Sequence, residues 1–118
     1  MEAVAFMLRE NVESLQELGI RVEELRSLGG AARSPLWLGI KADVLGLPLV
    51  IMTCAEAASL GVAILAGVAC GIAPDISAAS SRMISVKGRV EPDSRHREAY
   101  EQAYRKYLTL YKALDELW

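Results

Sequence analysis

Leu28-Gly29-Gly30-Ala31-Ala32-Arg33-Ser34-Pro35 is the stretch around which the chain is organised. It lies between a strand-like segment and a helix that opens on a hydroxyl residue and a proline. Paired glycines let the main chain turn without side-chain obstruction. Ser34 is a suitable helix cap, and Pro35 suits the first helical position, where its missing N–H is harmless. Such a turn aims backbone N–H groups beside a helix N-terminus, which is a physical anion site. A tight strand-to-helix turn with no ligand is the competing reading of the same residues. The sequence has neither the spaced Gly-x-Gly-x-x-Gly of dinucleotide folds nor a glycine loop ending in Gly-Lys-Ser/Thr.

Upstream of the turn, Val4, Leu8, Val12, Leu15 and Leu18 recur at helical spacing, with Glu10, Glu13 and Glu17 off the stripe. The pattern predicts an amphipathic helix over 2–18, ended by Gly19. Ile20 to Leu28 should contain a strand, its alternation blurred by Glu23, Glu24 and Arg26. Downstream, Trp37, Ile40, Val44 and Leu47 supply the apolar side of the next helix before Gly46 and Pro48 break the pattern. Leu49-Val50-Ile51-Met52 reads as a short buried strand. Thr53 and Glu56 match a capping box, so a helix is expected from Cys54 to about Cys70. Two strands each feeding a helix indicate an α/β fold with a small, mostly parallel sheet and flanking helices. Pro74-Asp75 could begin a short helix, and Ile84, Val86 and Val90 suggest an extended segment broken by Gly88. Asp93 or Ser94 can then cap a long helix carrying Tyr100, Tyr104, Tyr107, Leu108, Tyr111, Leu114 and Trp118.

The 118 residues suit a single domain, and 53% hydrophobic against 24% charged residues excludes a disordered chain. A net charge of -2 gives no electrostatic ground for a nucleic acid partner or an anionic membrane surface. The longest apolar run, Ala57 to Ala73, is shorter than the roughly 20 residues of a membrane span and carries Ser59. Met1-Glu2 and the acidic helix behind it are unlike a signal peptide. Cys54 and Cys70 flank one helix and fit no disulfide or zinc spacing, so buried thiols in a reducing, cytoplasmic setting are expected. The 54–70 helix has small residues at Ala57, Ala58 and Gly61 and no polar face, which implies burial on more than one side. With so few strands, the sheet has poorly protected edges. A fragment lacking a neighbouring domain, or a homo-oligomer that completes the sheet, would resolve both features.

No obvious catalytic base is present. Ser34 reads as a cap rather than a nucleophile, and Arg33 as an exposed helix-start residue or an anion partner. Asp43 reads as solvated, paired with an arginine, or placed at a domain interface. Glu56 has a use as the reciprocal capping carboxylate, Trp37 as core or the border of an adenine pocket, and His96 as surface. No His, Cys, Asp or Glu cluster has metal spacing, and the tyrosine stripe reads as packing.

Gly29-Gly30-Ala31-Ala32-Arg33-Ser34-Pro35-Leu36-Trp37, followed by Ala42-Asp43-Val44-Leu45-Gly46-Leu47-Pro48, resembles the C-terminal domain of FGGY-family carbohydrate kinases, within it the xylulose-phosphorylating branch. The likeness continues through Glu56-Ala57-Ala58-Ser59-Leu60-Gly61-Val62-Ala63-Ile64-Leu65-Ala66. It includes the opening Glu2-Ala3-Val4-Ala5-Phe6 and the Glu91-Pro92-Asp93 that precedes the tyrosine-rich helix. The resemblance implies part of a ribonuclease-H-like, actin-like ATPase domain. It implies that residues 1–118 are the C-terminal portion of a sugar kinase, as one domain. Gly29, Gly30 and Ala31 would form the nucleotide-contacting loop, with Ser34 near the adenosine side. The common family pattern has glycine where Ala31 stands. ATP or ADP would be the cofactor, with Mg²⁺ in the complete kinase, and a pentulose such as D-xylulose the substrate. The catalytic aspartate and most sugar contacts would lie in a missing N-terminal domain or another subunit. The segment by itself is expected to be catalytically incomplete, and a noncatalytic assembly module derived from such a kinase is the alternative.

Overall fold

A computed structural model describes residues 1–54 and 56–115. The elements are α1 (Glu2–Glu17), β1 (Leu25–Ser27), α2 (Pro35–Leu45), β2 (Leu49–Met52), α3 (Ala57–Ala69), α4 (Ile76–Met83), β3 (Val86–Val90) and α5 (Arg97–Asp115). Short 3-10 turns, Gly30–Arg33 and Ser94–His96, precede α2 and α5. Trp118, expected on the last helix, lies outside the described residues. The three strands stand in the order β1-β2-β3. β1 and β2 are parallel, with Leu25 opposite Leu49 and Ser27 opposite Ile51. β3 returns antiparallel to β2, with Leu49 opposite Val90 and an irregularity between Ile51 and Met52. The expected α/β architecture is therefore present, with parallel pairing confined to the β1–β2 pair.

α2 is the central helix because it is apolar on two sides. Leu38 and Ala42 bury against Leu49 of the sheet, with Leu25, Leu45, Ile51 and Val90 around them. Val44 faces the other way, into a core with Ala5, Phe6 and Tyr104, which Trp37 and Ile40 border. Sequence periodicity finds the second face and misses the first. A third, small cluster of Ile64, Ala73 and Ala79 joins α3 to α4.

α1 packs on α2 and α5 through Ala5, Phe6 and Val12, whereas Val4, Leu15 and Leu18 of the expected stripe are exposed. The two partner helices cover a rotated face, and among the described residues nothing covers the rest. α3 departs further from expectation, because Ile64 is its only buried residue while Val62 and Leu65 stand 68% and 58% exposed. The cysteines are likewise not buried: Cys54 is partly exposed, Cys70 is exposed, and both are free thiols. The capping box does not form. Glu56 occupies the cap position of α3 without a side-chain bond, and the helix starts at Ala57 rather than Cys54. Thr53 Oγ1 instead donates to the Ser85 carbonyl at 3.1 Å and lies 2.8 Å from Ser85 Oγ, tying the end of β2 to the start of β3.

With a radius of gyration of 17.8 Å and extents of 55 × 35 × 27 Å, the chain is elongated. A compact chain of this length would have a radius near ~13 Å. The buried residues fall into three separate small clusters rather than one core. No helix among the described residues is long and apolar enough to cross a membrane.

Candidate functional site: the glycine turn after the first strand

β1 ends at Ser27, and the chain turns at Gly29, whose φ of +79° lies in the left-handed region that favours glycine. Neither Gly29 nor Gly30 has any atom within 4 Å of where a Cβ would stand, so the space over both is open. Among the described residues none other than glycine has a positive φ, and Ala31 therefore adopts an ordinary backbone angle within the 3-10 turn, where it is exposed. Its methyl group brings no backbone strain.

The local sequence explains the geometry. Ala32 N–H donates to the Gly29 carbonyl at 3.2 Å, which closes the 3-10 turn. Ser34 then caps α2, its Oγ accepting the Trp37 N–H at 3.3 Å, while its carbonyl accepts the Leu38 N–H at 3.0 Å. Pro35 has no amide hydrogen. The cap thus consumes most of the donor capacity of the first turn of α2. The anion-binding capacity expected of the helix terminus is small, and the open turn ahead of it, at Gly29 and Gly30, is the part of the site accessible to a ligand.

The turn lies outside the carboxyl ends of parallel β1 and β2, where ligands of α/β sheets gather. Beside it is an apolar cavity of about 130 Å³ lined by Leu28, Met52, Cys54, Ala57, Leu60 and Ile64, among others. At the end of β1, Lys41 on α2 sends Nζ to within 3.1 Å of Ser27 Oγ and over the Trp37 ring, 5.4 Å from the centroid. Both Lys41 and Ser27 are buried, and burial pulls the Lys41 amine below its ordinary pKa of 10.5. Lys41 carries no motif of its own; only its position one turn before the end of an apolar helix could have drawn attention to it.

The other candidates are not gathered at this turn. Asp43 is neither solvated nor paired with an arginine: its carboxylate accepts the Asp93 N–H at 2.7 Å and contacts His96 Nδ1 at 2.8 Å. The pair holds the 3-10 turn before α5 against the end of α2. A larger groove of about 420 Å³ lies there, lined by Arg9, Glu13, Asp43, Asp93, Arg97 and Tyr100, among others. No group of three or more His, Cys, Asp or Glu residues that could hold a metal ion occurs among the described residues.

An open glycine turn at the carboxyl end of a parallel strand pair, followed by a capped helix, is the place in an α/β sheet where ligands commonly bind. Residues 1–70 match the C-terminal domain of the FGGY family of carbohydrate kinases, and the chain belongs to that family of ATP-dependent carbohydrate kinases. Over 112 residues it is 40% identical to a ribulokinase of Mycolicibacterium smegmatis, covering 94% of this chain and 20% of that protein. A glycerol kinase of Citrifermentans bemidjiense is 39% identical over 106 residues, which are 89% of this chain and 21% of the relative. The crystal structure of xylulose kinase from Rhodospirillum rubrum matches with a TM-score of 0.80 at 28% identity, covering 98% of this chain and 24% of that one. The chain thus spans about a fifth to a quarter of the length of these relatives.

Proposed function

We propose that residues 1–118 form one C-terminal unit of an ATP-dependent sugar kinase, and that the turn at Gly29, Gly30 and Ala31, with Ser34 behind it, receives the nucleotide on its adenosine side. The observation that carries this reading is the open, left-handed turn at Gly29, set at the carboxyl end of β1 within the segment that matches the kinase family. In the parent reaction a sugar hydroxyl oxygen attacks the γ-phosphorus of ATP, ADP departs, and the hydroxyl proton passes to a base. This chain contributes nucleotide binding and leaves the base and the sugar contacts to an N-terminal domain or another subunit. Mg²⁺ would be carried with the phosphates. D-xylulose is the substrate we favour, on the likeness to the R. rubrum enzyme; the ribulokinase and glycerol kinase relatives make ribulose and glycerol the comparisons to run.

Amide NMR of the chain titrated with ADP tests the site. The largest shifts are expected at Gly29, Gly30, Ala31 and Ser34; shifts concentrated at Asp43 and His96 would place the ligand in the other groove and remove this reading. Steady-state transfer to D-xylulose, both enantiomers of ribulose and glycerol by the full-length kinase tests the sugar. A second reading, a noncatalytic assembly module, is favoured by the exposed Val62 and Leu65 of α3. A monomer that binds ADP at the turn would count against it.

A further inference from the structure

Lys41 is the one lysine or arginine among the described residues that the fold buries, with 9% of its surface exposed. Its polar neighbours are a neutral hydroxyl, Ser27 Oγ at 3.1 Å, and the face of Trp37. Among the described residues, no carboxylate lies within ion-pair distance of it, and the nearby Asp43 is engaged with Asp93 and His96. One hydrogen bond uses one of three ammonium donors, and neither a hydroxyl nor a ring face cancels a unit charge. A methionine or leucine would fill the same space without the desolvation cost, so a buried, unpaired cation marks a place where an anion is expected. Direction identifies the anion's position. Side chains on a helix lean toward its N-terminus, here Ser34, and the group that Lys41 reaches, Ser27, precedes Gly29 by two residues. The charge therefore lies at the end of β1, two residues before the open turn.

We propose that Lys41 is a positioning residue whose charge draws the phosphate groups of a nucleotide to the Gly29–Gly30 turn and so favours nucleoside phosphates over the bare nucleoside. The inference rests on the nucleotide reading of that turn and adds a determinant outside the glycine motif. Lys41 acts through its field, with Ser27 and the turn between it and the ligand.

The test is an NMR titration of the full 118-residue chain with ADP and, separately, with adenosine, in wild type, Lys41→Met, Lys41→Arg and Lys41→Gln. Lys41→Met should weaken ADP about tenfold, the order expected for one charge acting through partly buried protein, and leave adenosine within about twofold. It should be at least as resistant to urea as wild type, because a buried charge has been removed. Lys41→Arg should retain ADP binding. Equal loss of ADP and adenosine in Lys41→Met would show that the lysine merely ties α2 to β1, and no loss of either would show that its charge is idle; both overturn the proposal while leaving the turn as the nucleotide site. Should Lys41→Met fail to fold, Lys41→Gln takes its place with the same readout: ADP weakened and adenosine unchanged supports the proposal, and equal loss of both or loss of neither overturns it. If neither ligand moves Gly29, Gly30 or Ser34 in wild type, the nucleotide reading fails first and the role of Lys41 falls with it.

Discussion

At Gly29 the left-handed φ is a backbone demand, and no neighbour crowds the position. Gly29→Val is therefore expected to cost about 1–2 kcal/mol from backbone strain alone, read as a lowered urea midpoint at unchanged slope. Ala31→Gly should do the opposite of repairing the site: with Ala31 already at an ordinary angle, glycine adds only unfolded-state freedom, so stability should fall slightly and ADP-induced shifts stay as they are. Ser34 has a different role. Its Oγ accepts one N–H of α2, and Ser34→Ala should cost about 1 kcal/mol by the same titration. The glycine pair and the serine cap were legible in the sequence because each answers to local backbone geometry. Lys41 was not, because its meaning comes from Ser27, fourteen residues away in sequence and joined to it only by the packing of α2 on β1.

Among the elements, the seam between α1 and α5 is polar and aromatic together. Tyr104 is buried against Phe6, its hydroxyl donating to Glu13 at 2.6 Å, and Arg9 reaches both Glu13 and Glu101 at 2.8 Å while its guanidinium sits over the Tyr104 ring. Tyr104→Phe should cost about 1 kcal/mol, because the Glu13 carboxylate left behind is partly open to water. The hydrogen bond from Arg9 holds the Glu101 carboxyl below its ordinary value of 4.5. The folded state therefore binds fewer protons than the unfolded chain just below that value, and the contribution of this pair, fully present above it, is lost as the pH falls through the depressed value. Acid titration of wild type and Glu101→Gln should converge at low pH. α3 behaves differently from the seam. Ile64→Ala should cost about 2–3 kcal/mol, whereas Leu65→Lys, one residue on and facing solvent, should stay within about 0.5 kcal/mol of wild type in thermal unfolding.

On the scale of the whole molecule, elongation and uncovered apolar surface go together. Val62, Leu65, Ile72 and Ile76 on and around α3 and α4 are all more than half exposed, as are Val4 and Met7 on α1. The isolated chain should bind a hydrophobic dye such as anilinonaphthalene sulfonate while retaining its far-ultraviolet helical signal, and Val62→Lys with Leu65→Lys should reduce that fluorescence by about half. Unchanged fluorescence in the double variant would place the binding surface elsewhere. The sequence by itself determined the order of helices and strands, the turn at Gly29 and Gly30, the Ser34-Pro35 helix start and the family. These follow from local backbone preference, hydrophobic period and an ordered set of motifs. It misplaced the start of α3, because Thr53 and Glu56 satisfy a local capping rule that the Thr53 bond to Ser85 overrides. Only the tertiary structure decided that α2 is buried on two sides, that α3 is covered on just one, that Asp43 holds His96, and that Lys41 is buried against Ser27. Each of these depends on which elements pack together, and the same apolar helix is core or open surface according to what stands beside it.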